Sequence, residues 1–318
     1  MRAAGSFVVP LIPTVVGWTA CLVLGLYLQR RLRDPGRLSH ILFAVMFWVT
    51  EPVLVFFAYT TVRFDSRLLA VGAVVVTSSW LVLGLGVACG AIASRDNRER
   101  GAVALGSAVG NTSYVGYPLA IAVFGPAGLA LAVVYSEFQF LIPALAMQRG
   151  VARYYAGPDS RAQSEPGMSS MVRGWVVNPL VASGIAALAL HYSGIDLRHV
   201  VAPFGPPAGL ATGMFGFFQL GLATPLERLA HRFAELAPAA ATLTLRCAVA
   251  PLLLLGLACL AGVHMPSVYL LLAATPVAFN PIILARVYDL DAAMLRMLVV
   301  VSTPLWIIAV LIGYHLVF

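Results

Sequence analysis

The stretch VGNTSYVGYPL, residues 109–119, places glycine, proline and uncharged polar residues in the middle of a long apolar run. A second stretch, ATPVAFNPII at residues 274–283, has the same character. Proline cannot donate a backbone hydrogen bond, and its ring displaces the carbonyl one turn earlier. In hydrocarbon, freed backbone groups are tolerated only where protein or a wet cavity satisfies them. We therefore predict two membrane helices that are interrupted near their centres.

The composition around these stretches indicates a membrane protein. Of the 318 residues, 60% are hydrophobic and only 10% are charged, and the mean hydropathy is +0.90. A soluble domain has about one quarter charged residues. The chain has too few charged residues to cover a surface that faces water on all sides. Part of the protein surface must therefore face lipid. Soluble enzymes, disordered proteins and disulfide scaffolds are excluded.

Apolar runs of about 20 residues predict ten membrane-spanning helices. The predicted spans are 7–29, 40–59, 68–93, 102–124, 127–148, 174–192, 204–223, 239–262, 267–287 and 296–317. All twenty basic residues are arginines; fifteen lie in loops on one side of the predicted bundle and four on the other. Positive charge favours the cytoplasmic side. We therefore expect a multi-pass protein of the cell membrane with both termini outside the cytoplasm.

The chain divides into two halves of five spans each. Residues 1–148 form the first repeat, 149–173 a cytoplasmic linker and 174–318 the second repeat. Five spans before a cytoplasmic linker force the second half to enter the membrane from the opposite side. Inverted repeats of this kind are typical of secondary transporters. The predicted fold class is an all-α integral membrane protein in which interrupted spans four and nine cross.

The crossing of two interrupted helices suits a small organic anion, most simply a carboxylate. Half-helices that restart after Pro118 and Pro281 would point backbone N–H groups and positive dipole ends inward. The amide side chains of Asn111 and Asn280 add donors without a buried lysine or arginine. The candidate substrate-binding residues are Asn111, Thr112, Tyr117, Pro118, Pro276, Asn280 and Pro281.

Two carboxylates fall inside apolar runs, Glu51 in span two and Glu137 in span five. A charged carboxylate at mid-membrane costs ~2.5–3.5 kcal/mol or more, so it is paired, neutral or in contact with water. Either residue can be a proton-coupling site or a neutral, hydrogen-bonded part of the bundle. For Glu137, near the crossing, both explanations stay open; for Glu51 the structural one is favoured.

Two further polar residues in predicted spans, Arg246 and Gln219, are expected to have structural roles and not to bind substrate. Arg246, about two turns inside span eight, is expected to extend its charge to the cytoplasmic interface. Gln219 in span seven is expected to hydrogen-bond a neighbouring helix.

A sodium site is an alternative use of the breaks. Freed backbone carbonyls, together with the hydroxyls of Ser107, Thr112 and Thr275, offer oxygen ligands, although no carboxylate lies at the second break. The histidines and cysteines show no metal-ligand spacing, and no cofactor or nucleic-acid partner is predicted.

The two stretches resemble the auxin efflux carrier family, which comprises plant PIN proteins and their bacterial relatives. The matching residues are Asn111-Thr112-x-x-x-Gly116-x-Pro118-Leu119, and Pro276-x-x-x-x-Pro281 followed by Ala285, Arg286 and Tyr288. Asn280 and the short 149–173 linker resemble the bacterial branch and differ from plant members.

This resemblance implies a fold like that of the bile-acid sodium symporters and related antiporters. Spans 1, 2, 6 and 7 would form a scaffold, and spans 3–5 and 8–10 would move around the crossing in an elevator-type mechanism. It also implies export or exchange of organic anions, with Asn111 near the substrate carboxylate.

The leading hypothesis is therefore a secondary transporter of small organic anions. A sodium-coupled symporter on the same fold is the nearest alternative, and a receptor or channel subunit is the alternative from another class. An enzyme is disfavoured because the zinc-helix, serine-elbow and paired-aspartate motifs of intramembrane proteases are absent from the sequence. The carboxylate, transport direction, coupling ion and oligomeric state, a homodimer included, stay open.

Overall fold

The computed structural model describes residues 11–139, 142–157, 160, 178–223 and 236–317. Over these residues the chain is helical with short connections and forms no β-strand, although one isolated bridge is present. In chain order the helices are α1 (Leu11–Arg31), α2 (Pro35–Thr61), α3 (Ser66–Ala93), α4 (Asn97–Ala108), α5 (Tyr117–Gln139), α6 (Ile142–Tyr154), α7 (Pro179–Tyr192), α8 (Arg198–Val201), α9 (Gly205–Ala223), α10 (Leu236–Leu260), α11 (Ser267–Ala273), α12 (Asn280–Val287) and α13 (Ala292–Val317).

Five helical segments of the described chain are long and apolar enough to cross a membrane. They are Pro35–Thr61, Ser66–Ala93, Thr112–Gln139, Leu236–Leu260 and Ala292–Val310. A helix rises about 1.5 Å per residue, so about 20 residues cross the hydrocarbon layer. The protein is therefore a helical membrane protein. The count of ten spans, the inverted repeat and the orientation of the termini stay predictions.

Three helices, α2, α4 and α7, begin with a polar side chain that caps the first turn. The side chains of Asp34, Asp96 and Asn178 accept hydrogen bonds from the backbone N–H groups of Arg37 (2.9 Å), Arg98 (3.0 Å) and Leu180 (2.9 Å). Such caps satisfy N–H groups that have no partner within the helix. The caps therefore fix the first residues of α2, α4 and α7.

Three π turns in the described residues precede prolines by the same spacing. They are Met46–Thr50 in α2, Thr112–Gly116 before α5 and Leu245–Val249 in α10. Each ends two positions before a proline, namely Pro52, Pro118 or Pro251. The proline ring clashes with the carbonyl four residues earlier, which lies inside the turn, and a wider turn relieves that clash.

The predicted boundary between spans four and five falls at Gly125. This residue has φ 70° and ψ −168° and interrupts the helical segment Tyr117–Gln139 just before Pro126. Glycine accepts this conformation because it has no Cβ. The segment is therefore two helical pieces rather than one straight rod.

The chain folds into two compact units, and each is discontinuous in sequence. The first unit comprises Met1–Asp65, Ser113–Ser136 and Pro166–Thr224, and the second comprises Ser66–Thr112, Glu137–Glu165 and Pro225–Phe318. The division into two five-helix repeats and the assignment of scaffold and moving spans stay predictions. The predicted linker, residues 149–173, lies partly outside the described residues.

Within the first unit, α1 and α9 meet through glycines. A Cβ added at Gly25 would lie 3.0 Å from the Cα atom of Gly221 and 3.0 Å from the backbone nitrogen of Leu222. Small residues let membrane helices approach closely enough for their backbones to pack. Gly17, on the same helix, has nothing within 4 Å of the equivalent position.

We expect Gly25→Ala to lower the melting temperature in detergent, because overpacking of this kind costs about 1–3 kcal/mol. The matched control Gly17→Ala should be neutral or stabilising by up to about 1 kcal/mol, the gain in helix propensity. Equal melting temperatures for the two variants would contradict the close α1–α9 contact.

Candidate functional site

The stretches 109–119 and 274–283 are both interrupted, and the two interruptions belong to the second unit. Helix α4 ends at Ala108, and the chain resumes helical structure at Thr112. Helix α11 ends at Ala273, and α12 begins at Asn280. The residues between these ends are not helical, so each stretch contains a break.

The two breaks pair with each other in antiparallel orientation. Gly110 and Val277 form an isolated β-bridge. The N–H of Asn111 donates to the Pro276 carbonyl over 2.8 Å, and the N–H of Ala278 donates to the Val109 carbonyl over 3.1 Å. Backbone groups that leave a helix inside a membrane protein need such partners. Each break therefore satisfies part of the other.

The guanidinium of Arg246 lies against the carbonyl ends of both half-helices. The residue is 1% exposed and belongs to the π turn of α10. Its nitrogens donate to five backbone carbonyls, Nε to Thr275 (3.0 Å), Nη1 to Ser107 (3.4 Å) and Ala108 (3.3 Å), and Nη2 to Leu272 (3.5 Å) and Ala273. The last carbonyls of a helix lack partners within the helix and form the negative end of its dipole. One fixed cation thus serves two helix ends.

The expectation that Arg246 extends to the cytoplasmic interface is wrong. Helix α10 runs from Leu236 to Leu260, so Arg246 lies ten residues from its start and fourteen from its end. From there the side chain packs inward, because the unsatisfied carbonyls at the breaks bind it. The sequence did contain an indication of this role, because a charged residue in the middle of an apolar helix is by default a candidate functional residue.

Gly110 provides the space for this arrangement. A Cβ at this position would lie 2.8 Å from Arg246 Nη2 and 3.0 Å from its Cζ, and would also collide with the Thr275 hydroxyl. That hydroxyl donates to the Leu272 carbonyl over 2.7 Å. Glycine is therefore required by close packing at the centre of the break.

Five of the predicted substrate-binding residues belong to the second unit. Asn111, Thr112, Pro276 and Pro281 are buried, and Asn280 is half-buried. The second halves begin earlier than predicted, at Thr112 and Asn280 rather than after the prolines. Pro281 is therefore in the first turn of α12, where a missing N–H costs nothing. The backbone N–H of Asn111 donates to the Pro276 carbonyl, which ties this residue to the second break.

The other two predicted residues, Tyr117 and Pro118, belong to the first unit. Tyr117 is 1% exposed and buried with Pro118 at the start of α5. The boundary between the units falls between Thr112 and Ser113. The predicted set is therefore divided between the two units.

Glu51 and Glu137 are also in different units, and both are half-buried. Glu51 follows the π turn of α2 and interacts electrostatically with Tyr114. The Tyr114 hydroxyl donates to Gln219 Oε1 over 3.1 Å, and Gln219 Nε2 donates to the Ser39 carbonyl over 3.1 Å. The predicted helix–helix hydrogen bond of Gln219 is confirmed, and Glu51 interacts with a partly buried polar network.

Two backbone carbonyls beside the predicted sodium ligands already accept hydrogen bonds. The carbonyls of Ser107 and Thr275 accept from Arg246, and the Thr275 hydroxyl donates within its own turn. Within the described residues, no group of three or more histidine, cysteine, aspartate or glutamate side chains is arranged to hold a metal ion.

The second unit of this helical membrane protein holds two interrupted helices that pair at their breaks. Discontinuous helices of this kind form the binding sites of many secondary transporters. The sequence matches the family model of the membrane transport proteins over residues 39–314. The chain therefore belongs to this family of membrane transporters, the auxin efflux carrier or PIN-like family. No curated protein matches the chain with significant similarity.

We expect Gly110→Ala to lower the melting temperature markedly, because the added methyl group must displace the Arg246 guanidinium. Overpacking alone costs about 1–3 kcal/mol, and each carbonyl left unsatisfied adds about 1–3 kcal/mol. Gly84→Ala on α3 is the matched control, because nothing lies within 4 Å of its Cβ position. A melting temperature for Gly110→Ala equal to that of Gly84→Ala would contradict the packing of Arg246 at the break.

Proposed function

We propose that the protein is a secondary transporter of small organic anions, most simply carboxylates, that works by an elevator-type alternating-access mechanism. Family membership supports the transport function. The observation that carries the substrate class is the pairing of the two breaks with Arg246 on their carbonyl ends.

The polarity of the half-helices favours an anion. The negative ends of α4 and α11 are covered by the guanidinium, which removes two sites that would attract a cation. Helix α12 begins at Asn280, and the N-terminal end of a helix carries partial positive charge, which attracts anions. The buried positive charge of Arg246 adds to this field in the same unit.

The amide side chains of Asn111 and Asn280 supply directed recognition in this proposal. Both belong to the unit that contains the break, one at each interrupted stretch. A carboxylate accepts hydrogen bonds from neutral amides strongly enough to bind and weakly enough to leave. If neutral amides and helix N-terminal ends bind the carboxylate, the Arg246 guanidinium can keep its hydrogen bonds to the backbone carbonyls.

We expect carboxylates such as acetate, benzoate or succinate to raise the melting temperature of the purified protein, whereas matched amines do not. Asn111→Ala and Asn280→Ala should each weaken binding about 10- to 150-fold, the loss of one hydrogen bond to a charged group worth about 1.5–3 kcal/mol. Arg67→Ala, an exposed arginine at the start of α3, is the control that keeps binding.

Stabilisation by amines instead of acids would overturn the anion assignment. In liposomes, saturable counterflow of the stabilising acid is expected. Unsaturable flux without counterflow would point to a channel instead.

A proton-coupled mechanism predicts that an imposed pH gradient drives uptake or efflux of the acid. Neutralising the coupling carboxylate with Glu137→Gln should abolish the response to the gradient and leave counterflow intact. Glu51→Gln is the comparison in the other unit. An unchanged pH response in both variants would rule out coupling through either residue.

A further inference from the structure

We propose that Arg246 is a built-in cation that takes the place of a coupling ion at the helix breaks. Its guanidinium is the positioning group that holds the two interrupted stretches together, so substrate binding needs no sodium. This inference rests on the proposed transport function for its role in transport.

The oxygens around Arg246 form the kind of site that binds a cation. Five backbone carbonyls from two different helix ends and one break converge on a single guanidinium. Carbonyl oxygens at helix C-terminal ends in membrane transporters coordinate sodium or protons. Here a side chain fills that position, and it is almost completely buried.

The local sequence of α10 positions the Arg246 side chain at the helix breaks. Pro251 enforces the π turn Leu245–Val249, and within this turn the N–H of Ala250 donates to the Leu245 carbonyl. π turns are frequent at functional sites. The glycine at position 110 leaves room for the guanidinium on the facing break.

A guanidinium differs from a bound ion in two ways that matter for transport. It stays charged in proteins and carries five N–H donors in a fixed fork, which matches several carbonyls at once. It is also covalently attached, so it cannot dissociate and carries no ion gradient into the transport cycle. The breaks are therefore held in every state without an ion from solution.

Chemical rescue tests the proposal on the full-length protein in detergent. Arg246→Ala should melt several degrees below the unaltered protein. Guanidinium chloride at low, non-denaturing concentration should restore most of that loss, and sodium chloride should restore part of it. Choline chloride at equal ionic strength should restore nothing, because its fully methylated ammonium group can neither donate hydrogen bonds to the carbonyls nor be coordinated closely by them. The unaltered protein and the surface control Arg67→Ala should gain nothing from guanidinium.

An Arg246→Ala variant that melts like the unaltered protein, or that guanidinium stabilises no more than choline does, would overturn the proposal. A merely space-filling arginine would give the second result. If Arg246→Ala does not fold, Arg246→Lys keeps the charge with fewer donors. It should fold with binding that stays independent of sodium, and a new sodium requirement in that variant would contradict the proposal.

The substrate arm uses the unaltered protein. The melting-temperature increase caused by benzoate or succinate should be the same in sodium, potassium and choline chloride. A shift that requires sodium would contradict a built-in cation. If no acid shifts the protein in any salt, the proposed anion transport fails, while the guanidinium rescue still decides the role of Arg246.

Discussion

The hydrogen bonds from Arg246 to the carbonyl ends of α4 and α11 are the constraint on which the centre of the second unit depends. Two helices stop inside an apolar environment, and each exposed carbonyl left without a partner would cost about 1–3 kcal/mol. The antiparallel bridge at Gly110 and Val277 satisfies the nearest backbone groups, and the guanidinium satisfies the next ones. The bridge and the guanidinium together provide hydrogen-bond partners for the backbone groups at the breaks, and this stabilises the breaks in an apolar environment.

These constraints link stability to function. A fixed cation covers the negative, C-terminal ends of α4 and α11. The opposite, N-terminal ends of the segments that follow the breaks carry the positive ends of their helix dipoles. The same bonds that stabilise the interruption therefore set the sign of the ligand that we propose. A bound anion would then need no direct contact with a lysine or arginine, because the charge of Arg246, on the C-terminal carbonyls of α4 and α11, contributes to the electrostatic potential of the same unit.

Much of this could be predicted from the sequence, because proline and glycine at mid-membrane have strong local consequences. The breaks at 109–111 and 274–279 follow from Gly110, Pro276 and their polar neighbours, and the caps at Asp34 and Asp96 follow from loop chemistry. The role of Arg246 could not be predicted from its own helix, because its partners lie more than twenty residues away in sequence. The early restart of the half-helices at Thr112 and Asn280 was also missed, since a proline in the first turn of a helix looks the same in sequence as a proline that ends one.

An experimental structure of the protein in lipid nanodiscs would show directly whether Arg246 holds the two helix breaks. We expect a main chain that leaves helical geometry at residues 109–111 and 274–279, with the Arg246 side chain against the carbonyls of Ala108 and Thr275. Unbroken helices through both stretches, with the Arg246 side chain directed to the lipid headgroups, would contradict it.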